Sequence, residues 1–177
     1  TRMLVCAEDL GMVPDCVPGV MDALRILTLE IQNMPKNPNY LFGHLEENPL
    51  RSVATIATHD MATIRGWWEE DKELTQKFYN HTLQKSGTAP HPMPGWICED
   101  VVARHLFSPS MLCLISLQDW MSMDEQLRYP DPDFERINVP ANPRHYWRYR
   151  MHVYIEDLLL NTPFNDKIRT LIMRSGR

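Results

Sequence analysis

The sequence predicts an α/β fold built on a parallel sheet, and three features carry that reading. Short apolar runs rich in Val, Ile and Leu recur at 3–7, 27–31, 53–57 and 111–117. Runs of this length, bounded by polar residues, read as strands buried on both faces, as parallel strands are. The stretches between them place apolar residues at helical spacing. Two of the runs also end in acid: Met3-Leu4-Val5-Cys6-Ala7 leads into Glu8-Asp9-Leu10-Gly11, and Val53-Ala54-Thr55-Ile56-Ala57 into Thr58-His59-Asp60. Enzymes on such sheets keep their chemistry at the strands' C-terminal ends.

After the first strand, Pro14 stands where a helix can begin, and Val17, Val20, Met21, Leu24 and Leu27 follow on one apolar face. Pro18 lies in the first turn, where its missing N–H costs little. The run 27–31 is a second strand. The segment 35–49, rich in Asn, Pro and Gly, is a loop at that strand's C-terminal end, with Tyr40, Phe42 and His44 free to meet a ligand. Beyond Asp60 one helix holds Trp67 and Trp68, and a second spans 72–85 with Leu74, Phe78 and Leu83 inward. The segment 88–94 has three Pro in five residues and reads as a rigid connector. A helix over 97–107 turns Val101, Val102 and Leu106 to the core, and the run 111–117 is the last strand, ending in Gln118-Asp119. A turn-rich loop at 129–133 and a helix-like stretch at 167–173 follow, with no internal repeat.

Composition bounds the function. The chain has 177 residues, 44% hydrophobic and 23% charged, which is the range of a globular domain with one core. A net charge of -5 argues against a nucleic-acid partner, since phosphate binding favours clustered Lys and Arg. No run approaches the roughly 20 apolar residues of a membrane span. Cys6, Cys16, Cys98 and Cys113 show neither C-x-x-C pairing nor zinc-ligand spacing, so free thiols and a cytoplasmic location are expected, with no metal. Two carboxylates at strand ends suit glycosidic-bond chemistry, which needs acids flanking the scissile bond. On spacing alone the alternative stays open that Glu8 or Asp9 caps the next helix and His59-Asp60 is a surface turn.

The wording of the motifs goes further. Glu8-Asp9-Leu10-Gly11 with Val13-Pro14 and Val17, Thr58-His59-Asp60 with Thr63 and Gly66-Trp67-Trp68, and Leu117-Gln118-Asp119 with Arg136-Ile137-Asn138-Val139-Pro140 and Tyr146-Trp147-Arg148 occur in this order. The set resembles the 4-α-glucanotransferases, or amylomaltases, of glycoside hydrolase family 77. Ala141-Asn142-Pro143-Arg144-His145 departs from the Gly-Thr turn usual there, as does a long loop after Asp119, wording that is closer to a plant cytosolic branch with N-terminal starch-binding modules.

The resemblance implies the C-terminal half of a (β/α)₈ barrel, about four parallel strands with their helices, over residues 1–177. A closed barrel usually takes about 250 residues. The chain opens at Thr1, two residues before a strand, and no residue in it matches the family's nucleophilic Asp, which lies on an earlier strand. The missing half is therefore an expected partner, as is self-association of an isolated half-barrel through its open edges and through inward residues such as Val5, Ile56, Leu112 and Leu114. By the same resemblance Glu8 is the general acid/base, Asp60 the carboxylate that stabilises the transition state, and His59 a donor to sugar hydroxyls. Trp67, Trp68 and Asn138 are substrate contacts, with one of the two adjacent tryptophans facing the glucan, because neighbours on a helix point about 100° apart.

No cofactor is implied. A retaining acid/base must sit where burial or negative charge raises its pKa. Asp9 points away from Glu8 on an extended strand and either caps a helix or pairs with a basic residue. Asp119 touches substrate or opens the helix carrying Trp120. Arg136 and Arg148 shape the site or brace the last loop, and the Arg148-Tyr149-Arg150 region is expected to hold the barrel's end together through ion pairs with remote acids or with acids of the missing half. Two rival functions remain at this level: an α-amylase-like hydrolase using the same acids, and a non-catalytic glucan-binding piece.

Overall fold

A computed structural model describes residues 3–177. Its centre is a parallel sheet in the order β1 (Thr28–Ile31), β2 (Ser52–Thr55), β3 (Leu112–Cys113). Thr28 pairs with Ser52 and Ile31 with Thr55, while Val53 pairs with Leu112. The run at 3–7 joins the outer side of β1 through a single parallel bridge, Cys6 to Leu27, with Ala7 N–H donating to Leu27 O at 2.9 Å and Leu27 N–H to Val5 O at 2.8 Å. The four expected runs thus lie side by side in chain order, three as strands and the first as a bridge.

Burial divides them by position. All four residues of β2 are buried, as befits the central strand with a neighbour on either side. The outer runs are not buried on both faces: Val5, Leu112 and Leu114 are exposed, whereas Ile56 is fully inside. The last strand is also shorter than its apolar run. Ser116 caps α5 (Leu117–Met121) by accepting the Asp119 N–H at 3.1 Å, so Leu117 begins a helix instead of ending a strand.

The helices explain the rest of the pattern. α1 (Val17–Leu24) carries Pro18 in its first turn and ends at Arg25 in a left-handed conformation, but among its apolar positions Met21 is buried while Val20 and Leu24 face out. α2 (Ile64–Glu70) is capped by Thr63, and α3 (Lys72–Lys77) by Asp71, whose carboxylate accepts the N–H groups of Glu73 and Leu74 at 2.9 Å. The predicted helix 72–85 passes into a wider π-turn at Phe78–Thr82, which brings Phe78, Tyr79 and Leu83 inward. α4 (Gly95–Leu106) buries Ile97, Cys98, Val101, Val102 and Leu106, and α7 (Thr162–Ser175), preceded by the short α6 (Ile155–Leu160), lays Phe164 and Leu171 on the same core. Full burial of each such side chain contributes about 1.5–3 kcal/mol.

Candidate active site

Strands that run parallel put their C-terminal ends on one edge, and the expected acids lie there. Glu8 follows the Cys6 bridge by two residues, and Asp60 follows the end of β2 by five. With β1 between them, their backbones start from strands about 10 Å apart. Glu8 is exposed, and its carboxylate makes no hydrogen bond or ion pair among the described residues. The burial expected around an acid/base is thus not provided by these residues. Asp9 points the other way, as the alternation of an extended chain requires. It accepts the Leu29 N–H at 2.9 Å and pairs with Lys36 at 2.7 Å, and Lys36 also meets Glu30 at 2.8 Å. Asp9 therefore locks the loop after β1 to the first run, the pairing role among its two alternatives.

His59, Asp60 and Asn138 come together. Met61 N–H donates to Thr58 O at 3.1 Å, and Asp60 N–H to Thr58 Oγ1 at 3.3 Å, which turns the chain so that His59 and Asp60 stand out from the sheet edge. Asn138 Nδ2 donates to Asp60 Oδ1 at 2.6 Å, while its backbone N–H donates to His59 O at 3.2 Å. His59 Nε2 lies 3.6 Å from Asp60 Oδ2, and the His59 ring rests 5.1 Å from that of Trp147. Both side chains remain 43–45% exposed, open to a ligand from the front while Asn138 holds the carboxylate from behind. Tyr146-Trp147-Arg148 is one of the motifs, but the place of Trp147 beside His59 has no local signal, because the contact crosses 88 residues.

The adjacent tryptophans separate. Trp68 is completely buried, its Nε1–H donating to Pro90 O at 2.9 Å and its ring against Phe78, Tyr79 and His91, so it is a core residue closed to any ligand. Trp67 is half-buried and packs edge-on against Phe42 and Phe78. Phe42 is also core, contrary to the expectation that it meets a ligand, whereas Tyr40 and His44 stay exposed with their rings 4.6 Å apart. They line a cavity of about 300 Å³ together with His81 and Arg104.

Behind the His59–Asp60 turn lies a buried polar cluster with no local sequence signature. Ser116 and not Asp119 caps α5; Asp119 lies in its first turn, accepting from Ser116 Oγ at 2.8 Å, and its carboxylate also accepts the Ile64 N–H at the start of α2, at 3.0 Å. Glu135, in a single turn at Pro132–Glu135, accepts from Thr63 Oγ1 at 2.9 Å and pairs with Arg65, whose guanidinium also donates to Tyr129 O and Pro130 O. Asp119, Glu135 and Arg65 are nearly inaccessible. Burial raises the pKa of both acids, opposed at Glu135 chiefly by the Arg65 charge and at Asp119 by the hydrogen bonds from Ile64 and Ser116. A cavity of about 70 Å³ separates the two acids from His59 and Thr58. Arg136 pairs with Glu70 at 3.3 Å, while Arg148 and Arg150 form no ion pair among the described residues.

Comparison with known proteins agrees with the motifs. A family model described as 4-alpha-glucanotransferase matches residues 1–156. The 4-alpha-glucanotransferase DPE2 of Oryza sativa subsp. japonica is 36% identical over 175 residues, covering 99% of this chain and 18% of that protein. The 4-alpha-glucanotransferase of Chlamydia pneumoniae is 29% identical over 179 residues, with 97% and 33% covered. Among solved structures, an amylomaltase from Streptococcus agalactiae in complex with acarbose superposes with a TM-score of 0.71 at 17% identity, over 97% of this chain and 32% of that one. The chain therefore spans a third or less of the proteins it matches, and its fold is that of the matching portion.

Proposed function

This chain belongs to the 4-alpha-glucanotransferase family, and on that premise we propose that it is the C-terminal half of a (β/α)₈ catalytic barrel that transfers α-1,4-glucan segments between malto-oligosaccharides. The observation that carries the reading is the His59–Asp60–Asn138 cluster on the same sheet edge as Glu8. In the first step Glu8 donates its proton to the leaving glycosidic oxygen as the bond to the sugar's anomeric carbon breaks and a carboxylate from the preceding half bonds to that carbon. In the second, ionised Glu8 takes the proton of an acceptor's 4-hydroxyl, whose oxygen displaces the enzyme carboxylate. Asp60 accepts hydrogen bonds from sugar hydroxyls that strengthen as the oxocarbenium forms, and His59 adds a donor beside it.

Asn138 supports this by fixing one Asp60 oxygen and leaving the other for substrate. Trp67, Tyr40 and Trp147 offer the apolar faces on which pyranose rings stack. Transfer prevails over hydrolysis when acceptor subsites hold sugar tightly enough to exclude water. The acid environment of Glu8 and the nucleophile come from the first half of the barrel, so the 177-residue chain alone is inactive. The reduced thiols fit a cytoplasmic protein. Incubating the intact protein with maltotriose tests the activity: glucose with longer oligomers supports transfer, and glucose with maltose alone supports an α-amylase-like hydrolase instead.

A further inference from the structure

The turn that carries His59 and Asp60 is fixed from outside. Asp60 and Thr63 are three residues apart on one segment, and Glu135 and Asn138 three apart on another, and the two segments are joined by two side-chain rungs running in opposite senses. Asn138 donates to Asp60 at 2.6 Å, and Thr63 donates to Glu135 at 2.9 Å. The Asn138 N–H to His59 O bond, at 3.2 Å, braces the first rung. The second rung is buried: Glu135 and Arg65 are 2% and 4% exposed, and Arg65 extends the hold to the carbonyls of Tyr129 and Pro130. Three extended residues reach about 10 Å, so displacing Glu135 shifts Asn138 and, through it, the carboxylate of Asp60.

Resting on the glucanotransferase reading, we propose that Glu135, clamped by Arg65 and Thr63, is a positioning residue that sets the orientation of Asp60 through Asn138. Glu135 is closed off from the surface, so its place is behind the site and not against a bound sugar. A buried ion pair suits this task, because breaking it leaves an uncompensated charge that the segment must move to relieve. Asp119, in the same buried cluster, adds to this hold by accepting the Ile64 N–H at 3.0 Å. Sub-ångström control matters here, since displacing a reacting group by about 1 Å costs roughly 10²-fold in rate.

A mutant cycle in the intact protein tests this, with kcat and KM for maltotriose transfer as the readout. Glu135→Gln lowers kcat by about 10- to 100-fold with KM changed less than about twofold, and Asn138→Ala lowers kcat as well. In the double variant the losses do not multiply, because Glu135 acts only through Asn138. Multiplied losses, or a Glu135→Gln enzyme with unchanged kcat, overturn the proposal. Should Glu135→Gln fail to fold, Arg65→Lys keeps the charge but loses the fork, and the same non-multiplying pattern with Asn138→Ala is expected. Asp60→Asn, measured alongside, separates the two levels: unchanged transfer there removes the functional reading itself, whereas loss of transfer there with normal Glu135→Gln kcat removes the positioning role alone.

Discussion

Acid should weaken this fold through His105, and the size of the effect follows from where that residue sits. His105 is on α4 with 1% exposure, its Nδ1–H donating to Val101 O at 2.8 Å, and burial pushes its pKa down from 6.5 to about 4. The folded protein thus keeps the imidazole neutral while the unfolded chain takes up a proton below pH 6.5. Between those values the unfolded state binds more protons, so stability falls as pH falls, and the loss is complete near pH 4. At about 1.4 kcal/mol per pH unit the whole effect is about 3 kcal/mol, of which about 2 kcal/mol is lost by pH 5. Asp119 and Glu135 act with the opposite sign. Their pKa values are raised, so their contribution is largest at low pH and is lost as pH rises through the folded values, which offsets part of the His105 loss. Subtracting a His105→Gln variant isolates the histidine. Urea midpoints converted to free energies from pH 7 to 5 should fall more steeply for the wild-type protein, by about 2 kcal/mol. Parallel curves for the two proteins would refute the argument.

Two other perturbations read the packing. Trp68→Ala should cost about 3–5 kcal/mol in denaturant titrations, as large-to-small changes in a closed core do, while Trp67→Ala in the intact enzyme should cost less stability and raise KM for maltotriose; equal stability losses would show that both rings are core. The isolated 177-residue chain should self-associate at low micromolar concentration through the exposed Val5, Leu112 and Leu114, and should leave maltotriose unchanged. Sedimentation equilibrium giving a monomer of 20.7 kDa would show that these side chains find cover within one chain.

What the sequence made legible was periodic or punctuated. The strands at 28–31 and 52–55, the helix of Val101 and Leu106, and the place of Pro18 in a first turn all follow from local spacing and backbone chemistry. The acids at the strand ends were visible for the same reason. What escaped depends on contacts distant in the chain. The Arg65–Glu135 pair joins residues 70 apart and shows no pattern within any window of the sequence. Both Trp67 and Trp68 meet Phe78, and the choice between them is decided by which one also reaches Tyr79, His91 and the Pro90 carbonyl, while Phe42 is drawn inside by its contacts with Trp67 and Phe78. Apolar content at 111–117 was an accurate sign of a strand, but only Leu112–Cys113 pairs as one, because Ser116 supplies a helix cap immediately after it.

The central claim is that Glu8 moves the proton and Asp60 stabilises the charge, and leaving-group dependence tests it most directly. In the intact protein, Glu8→Gln should slow transfer from natural glucans by roughly 10²–10⁴-fold yet spare the first step with a donor whose leaving group needs no proton, such as an α-maltosyl fluoride. Asp60→Asn should slow both donors alike. A Glu8→Gln enzyme that is equally impaired with the fluoride and with maltotriose would contradict the assignment.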